Sequence, residues 1–109
     1  MQYRTDFITE GRGGLAYYTE DEKSLSFDWD ITSVGFEIYV PSPSEWDEFC
    51  EQSDFSQCRG RREEILQRLA EEIRKKKAKT AKVTIDDHGI SFSFERDWLH
   101  SLLSRILGG

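Results

Sequence analysis

Three carboxylates alternate with apolar residues in two neighbouring segments, and their types and spacing are the ones in this sequence best suited to chemistry. Asp28 and Asp30 stand in LSFDWDI, and Glu37 stands in VGFEIYV, followed by Tyr39. Alternation with period two is typical of a strand, so these side chains should share the wet face of a sheet. Paired carboxylates serve acid–base catalysis or hold a divalent cation. Such a row is more often a solvated sheet face, and we interpret Asp28, Asp30, Glu37 and Tyr39 as a partner-binding surface.

The other candidates for metal binding or nucleophilic chemistry are two cysteines and two histidines. Seven residues separate Cys50 from Cys58, and eleven separate His88 from His100. A structural zinc site needs two closely spaced pairs of ligands, which these spacings do not supply. No serine or cysteine stands in a nucleophile motif. We therefore predict no catalytic residue, no metal and no cofactor, with Cys50 in the core and Cys58 as a surface thiol.

A basic run raises the alternative of nucleic-acid binding. RKKKAKTAK, residues 74–82, holds six basic residues in a chain of net charge −6. The run ends a helical pattern in which Glu64, Glu71 and Glu72 each precede a basic residue by four positions, and basic residues favour a helix C-terminus. The sequence pI of about 4.9 is far below the value above about 9 that marks nucleic-acid-binding domains. We interpret the run as a helix end and do not expect nucleic acid to bind.

The elements that position these residues follow from the periodicity. Four strands are predicted first, over MQYRTDFITE, GLAYYT, LSFDWDI and VGFEIYV, with GRGG as a hairpin turn. The apolar members of the last two, including Ile31 and Val34, should face inward. Helical spacing begins at SPSEWDEFC, where Ser42 and Glu45 form a capping box around Pro43 at the first helical position.

A long helix over about residues 60–79, a hairpin over KVTIDDHGISFSFE and a last helix over residues 96–109 complete the chain. The last helix carries six large apolar residues and should dock on the sheet or on a second copy of the chain, which allows a homodimer. The sequence predicts a single α+β domain over residues 1–109. It is a two-layer sandwich with the element order ββββααββα and an antiparallel sheet covered by helices on one face.

The composition and the distribution of charge favour a binding function. Residues 1–58 hold 3 basic and 13 acidic side chains, whereas residues 59–109 hold 12 and 8. No apolar run is long enough to cross a membrane, and the first residues lack the pattern of a secretory signal, so we expect a cytoplasmic protein with reduced thiols. In size and acidity the chain is similar, at the level of class, to immunity proteins and secretion chaperones.

The sequence therefore predicts a small acidic, non-enzymatic protein-binding domain, an inhibitor, immunity or chaperone-like adaptor, for a basic protein partner. The alternative is a small enzyme or ligand-binding protein with a pocket between sheet and helices.

Overall fold

The structure, a computed structural model, describes residues 2–94. Its elements in chain order are β1 (Tyr3–Glu10), β2 (Gly13–Glu20), β3 (Lys23–Ile31), β4 (Gly35–Tyr39), α1 (Trp46–Gln52), a short 3-10 helix (Ser56–Cys58), α2 (Arg62–Lys77), β5 (Lys82–Asp86) and β6 (Gly89–Ser93). The strands form one antiparallel sheet in the order β1-β2-β3-β4-β6-β5. The predicted α+β fold is confirmed. The helix predicted over residues 96–109 lies outside the described residues.

Alternation sorts the strand residues onto two faces of this sheet. On β3, Leu25, Phe27 and Trp29 are buried while the residues between them are exposed. The register places Ile38 of β4 opposite Trp29 and Ile90 of β6 opposite Ile38, so the buried side is continuous across strands. We call this side the covered face, and the opposite side, which carries the intervening residues of β3 and β4, the open face.

Both helices lie against the covered face. Trp46 of α1 stacks on Phe27 with ring centroids 6.2 Å apart, and its indole Nε1 donates to the carbonyl of Cys58 at 2.8 Å. The second helix turns one apolar stripe inward, namely Ile65, Leu66, Leu69, Ala70 and Ile73. Each large aliphatic side chain buried in this way contributes about 1.5–3 kcal/mol. The core therefore holds the sheet and the helices together as two layers.

Two-residue turns join the first three strands into a meander. Asp21 and Glu22, between β2 and β3, have φ values of 47° and 73°. Two consecutive positive φ values define the type I′ turn, whose twist matches that of paired strands. Gly11 and Arg12 form the turn between β1 and β2, which confirms the prediction that GRGG closes a hairpin.

Trp29 bridges the meander because Gly14 leaves room for it. A Cβ at Gly14 would lie 1.9 Å from the carbonyl oxygen of Ile8 and 2.9 Å from the indole nitrogen of Trp29. That nitrogen donates to the Ile8 carbonyl at 3.0 Å, and the indole stacks on Phe7 at 4.5 Å between ring centroids. The indole thus ties β3 to β1 across the intervening strand.

The predicted start of the first helix is wrong by one turn. The helix begins at Trp46, and residues 43–45 form a turn instead. One half of the capping box still forms, because the Glu45 carboxylate accepts from the Ser42 amide at 3.4 Å. The Ser42 hydroxyl donates to the same carboxylate at 2.7 Å, and the Glu45 amide donates to the Ser42 carbonyl instead of the hydroxyl. Here the side chains close the turn that leads into the helix. The long helix runs over Arg62–Lys77, two residues shorter at each end than predicted.

Three burial predictions also fail. Ile31 and Val34 are 46% and 49% exposed, because they flank the hairpin between β3 and β4. Cys58 is fully buried beside Cys50 and is not a surface thiol. The 3-10 helix that ends at Cys58 turns its side chain into the core.

Candidate functional site

The open face brings the four predicted site residues onto adjacent strands. Asp30 of β3 lies directly opposite Glu37 of β4 in the register. Asp28 and Tyr39 stand two residues further along their strands on the same face, because side chains alternate. Asp28 and Asp30 are exposed, Glu37 is half-buried and Tyr39 is 47% exposed. These residues form a surface at the centre of the sheet, which we call the acidic patch (Asp28, Asp30, Glu37 and Tyr39).

Arg12 lies near Asp28 and Asp30, but the carboxylates of the acidic patch form no salt bridge in the described part of the chain. Within residues 2–94 no salt bridge joins Asp28, Asp30 or Glu37 to a lysine or arginine. Asp30 Oδ1 accepts from the amide of Ile31 at 2.8 Å, and Glu37 Oε1 accepts from the hydroxyl of Ser91 at 3.5 Å. Like charges directly opposite on paired strands are destabilising. The patch therefore concentrates negative charge that the described part of the fold does not neutralise.

Several carboxylates outside the acidic patch bond to a cation or to a backbone amide. Glu51 pairs with Arg59 at 3.1 Å, and Glu71 pairs with Lys75 at 3.4 Å. Asp47 accepts from the amide of Gly60 at 2.8 Å. Other carboxylates among residues 2–94, such as Glu22 and Glu63, also have no salt bridge. What distinguishes the acidic patch is therefore that Asp30 and Glu37 face each other directly in the register.

Two shallow depressions flank the acidic patch. One, of about 480 Å³, is lined by Glu10, Arg12, Asp28 and Asp30 at the end of the first hairpin. The other, of about 660 Å³, lies where β4 leads into the first helix and is lined by Glu37, Tyr39, Glu45, Asp87 and His88. Both open to solvent and carry more acidic than basic side chains. Neither depression encloses a ligand on all sides, as most small-molecule sites do.

A second ionic cluster, on the covered face, was missed by the sequence analysis. Glu20 is only 3% exposed at the end of β2 and accepts from Arg61 at 2.7 Å and from Arg68 at 3.3 Å. The hydroxyl of Tyr18 also donates to it. Burial alone would raise the pKa of Glu20, but the hydrogen bonds from Arg61 and Tyr18 outweigh burial and hold it below its ordinary value. The bond from Tyr18 lies within β2, whereas those from Arg61, at the start of α2, and from Arg68 join the helix to the sheet. The cluster therefore holds α2 against β2.

Tyr18 belongs to the same cluster and is held in its protonated form. Burial, and then its hydrogen bond to Glu20, raises the pKa of the Tyr18 phenol to about 12. Arg68 donates to the same oxygen at 3.0 Å, and its guanidinium also lies 4.8 Å from the centre of the Tyr3 ring. A protonated phenol is a poor nucleophile near neutral pH, and the Glu20 carboxylate is buried and bonded to two arginines.

Residues 2–94 contain no site suited to metal binding or to thiol chemistry. No three His, Cys, Asp or Glu side chains there are grouped so that they could hold a metal ion. Cys50 and Cys58 are both fully buried, and burial raises the pKa of each thiol. A protonated, inaccessible thiol is a poor nucleophile and a poor metal ligand.

The alternative prediction, a pocket between sheet and helices, has a counterpart among residues 2–94. A depression of about 300 Å³ lies where the start of α2 meets the end of β5, lined by Arg62, Glu63, Asp86 and Asp87 among others. The Arg62 guanidinium already donates to the carbonyls of Pro41 at 2.9 Å, Asp86 at 2.9 Å and Asp87 at 3.2 Å. Arg62, the one cation among the residues that line this depression, is therefore already bonded to backbone carbonyls. Ligand binding there stays a prediction.

The basic run lies where a helix end was predicted. Its first four residues, 74–77, form the last turn of α2. Arg74 donates to the carbonyl of Ala81 at 3.4 Å, and Lys76 donates to the carbonyl of Thr5 at 3.2 Å. The predicted pairing of Glu72 with Lys76 is wrong, because Lys76 reaches across to β1 instead. The run is thus partly occupied in holding the end of the helix to the sheet.

Comparison of the chain with protein-family models, with curated protein sequences and with solved structures found no match. Within residues 2–94 no helix has both the length and the apolar composition needed to cross a membrane. The function is inferred from the charges and contacts of the open face alone.

Proposed function

We propose that the protein is a non-enzymatic binding domain whose acidic patch docks a basic protein partner. The observation that carries this proposal is the pairing of Asp30 with Glu37 in the register, with Asp28 beside them and no cation in contact within the described residues. A fold selected for stability alone would place a lysine or arginine within reach of such a pair. A basic partner would supply that charge from outside.

The setting of the acidic patch supports a surface for a protein rather than for a small molecule. Tyr39 adds a half-exposed aromatic ring to the charged centre, and tyrosine is common where protein interfaces bury an anchor. The two flanking depressions extend the negative charge along the sheet. Clustered charge of one sign steers an oppositely charged partner and raises its association rate. The two free cysteines fit a reducing compartment, and we place this role in the cytoplasm.

The test compares two variants that remove the same charge from different surfaces. The first carries Asp28→Asn, Asp30→Asn and Glu37→Gln on the open face. The matched control carries Glu48→Gln, Glu63→Gln and Glu71→Gln, three exposed acidic residues on the helices. Immobilised wild type and both variants are used to capture proteins from a lysate of the native host. Each captured protein is then purified, and its association rate is measured at low and at high salt.

We expect a basic protein that binds wild type and the helix variant but not the open-face variant, with an association rate that falls as salt rises. Equal binding by all three forms would show that the acidic patch is not the interface. A partner lost only with the helix variant would place the interface on the other layer. Either result would refute the proposal.

A further inference from the structure

The outer edge of β1 is the longest backbone edge that the sheet presents. β1 has eight residues, whereas β5, at the opposite edge, has five. In the described part of the chain no strand pairs with the outer side of β1. Edge strands avoid pairing by being short, bulged, interrupted by proline, charged, or covered by another element. β1 pairs with β2 over its whole length without a bulge and contains no proline. Thr5, which is 3% exposed, is covered where Lys76 of α2 bonds to it, and the rest of this edge is open to another strand.

The hydrogen-bonding groups on this edge can be assigned. The carbonyl of Ile8 points toward β2, since it lies 1.9 Å from the position of a Cβ on Gly14. The carbonyl of Thr5 points away from β2, since it accepts from Lys76 Nζ at 3.2 Å. Alternation along the strand then turns the N–H and C=O groups of every odd-numbered residue outward, namely Tyr3, Thr5, Phe7 and Thr9. A pairing strand must meet these four residues.

The sequence of β1 is complementary to itself in one antiparallel register. With Phe7 on a two-fold axis, Arg4 of each copy lies opposite Glu10 of the other, so two ion pairs form on the open side. Thr5 pairs with Thr9, and both residues are β-branched. Asp6 pairs with Ile8, so no like charges meet there. Residues 4–10 are then paired, all of β1 except Tyr3, and Ile8, which is 43% exposed, loses solvent contact. Opposite charges and β-branched pairs across strands are both favourable.

The neighbouring registers are worse. An axis at Asp6 places two Asp6 carboxylates opposite each other, and an axis at Ile8 places Asp6 opposite Glu10 twice. An axis at Thr5 pairs only five residues. Charge therefore disfavours the axes at Asp6 and Ile8, and length disfavours the axis at Thr5, which leaves the register with Phe7 on the axis. In that register Thr5 pairs with Thr9, so the partner strand replaces the bond from Lys76 to the Thr5 carbonyl.

We propose that the protein forms a homodimer in which the β1 strands of two copies pair antiparallel about Phe7 and join the two sheets into one. The partner is a second copy because the strand matches its own charges in this register. This inference does not depend on the proposed function of the acidic patch, which lies on β3 and β4 of the same sheet. In the dimer, two acidic patches share one continuous open face.

Charge reversal tests the register. Arg4 is well exposed, with 71% of its side chain accessible, so Arg4→Glu leaves the monomer folded. Arg4→Glu or Glu10→Arg should each raise the dissociation constant of the dimer about tenfold. The two-fold axis creates two Arg4–Glu10 pairs, so each substitution replaces two ion pairs by two like-charge pairs. The double variant R4E/E10R should restore wild-type affinity. Sedimentation equilibrium over a concentration series reaching the millimolar range measures each dissociation constant.

Lys82→Glu is the matched control, since it makes the same charge change on the open side of the opposite edge strand. It should leave the dissociation constant unchanged. Amide exchange gives a second readout: the amides of Phe7 and Thr9 should exchange more slowly as concentration rises, whereas that of Ile8, bonded to β2 in both states, should not. A wild-type protein that stays monomeric throughout, or a dimer that the double variant fails to restore, would overturn the proposal.

Discussion

The ionic cluster around Glu20 should be one of the most costly polar sites to disturb. Glu20→Gln keeps the shape of the side chain and removes its charge, so Arg61 and Arg68 lose their shared carboxylate. Removing one partner of a buried ion pair costs about 3–5 kcal/mol. The arginines are 22% and 31% exposed and keep contact with Glu64, which lets water and a second carboxylate compensate in part. We therefore expect a loss near the lower limit, about 3 kcal/mol.

Urea denaturation followed by tryptophan fluorescence measures this loss, since Trp46 is 1% exposed in the core and reports on its opening. Domains of this size unfold with a total free energy of about 5–15 kcal/mol, so the shift in midpoint will be large. Glu64→Gln is the control: Glu64 contacts the same two arginines but is 47% exposed, and its removal should cost no more than about 1 kcal/mol. A Glu20→Gln variant within about 0.5 kcal/mol of wild type would refute the reasoning.

The dependence on pH gives an independent check of the same cluster. The folded pKa of Glu20 lies below its ordinary value of 4.5, so the charged form is the one the fold stabilises. The stabilisation is complete above that ordinary value and is lost as pH falls through the folded pKa. The difference in unfolding free energy between wild type and Glu20→Gln should therefore be constant near neutral pH and shrink below about pH 4.5. A difference that grows on acidification would contradict the assignment.

Three further predictions follow from burial and from charge. Neither Cys50 nor Cys58 should react with a thiol reagent in the native protein, and both should react in urea. Titration with a chromogenic disulfide measures this reactivity, and a cysteine that reacts quickly in the native protein would have to lie at the surface. Leu66→Ala should cost about 2–5 kcal/mol in urea denaturation, whereas Gln67→Ala, one residue along on the exposed side of the same helix, should change stability by less than about 0.5 kcal/mol. Asp30→Asn should stabilise the protein by about 0.2–1 kcal/mol at low salt, because it removes a like-charge pair, and a gain that persists at high salt would point to another cause.

Local periodicity was sufficient to predict the strands and their faces. The alternation through Leu25, Phe27 and Trp29 identified β3 and its buried side, and the positions of the acidic patch followed from it. The same rule failed at Ile31 and Val34, because alternation states which side a residue faces and not whether anything covers it there. Burial at the end of a strand depends on how far the second layer extends, which is a tertiary property.

The sequence could not reveal Glu20 as a buried residue. It stands in the polar run TEDEKS, which is typical of an exposed turn, and its two arginines follow 41 and 48 positions later. Only the packing of α2 on β2 brings them together. Cys58 was misplaced for a similar reason, since its neighbours in the chain are polar and the 3-10 helix that turns it inward has no periodic pattern.

The order of the strands also sets how the chain must fold. Two-residue turns connect β1, β2 and β3, so their contacts are local and form at little cost in chain entropy. β4 instead pairs with β6, and the register that joins Tyr39 to Gly89 closes a loop that contains both helices and β5. Closing that loop costs chain entropy that no contact offsets until the helices have packed. Chains dominated by such distant contacts fold slowly. We expect the meander to form early and the junction of β4 with β6 to limit the rate. Substitutions in the first hairpin should therefore slow folding, because its contacts are already made in the transition state, whereas substitutions at contacts made after the junction should mainly speed unfolding.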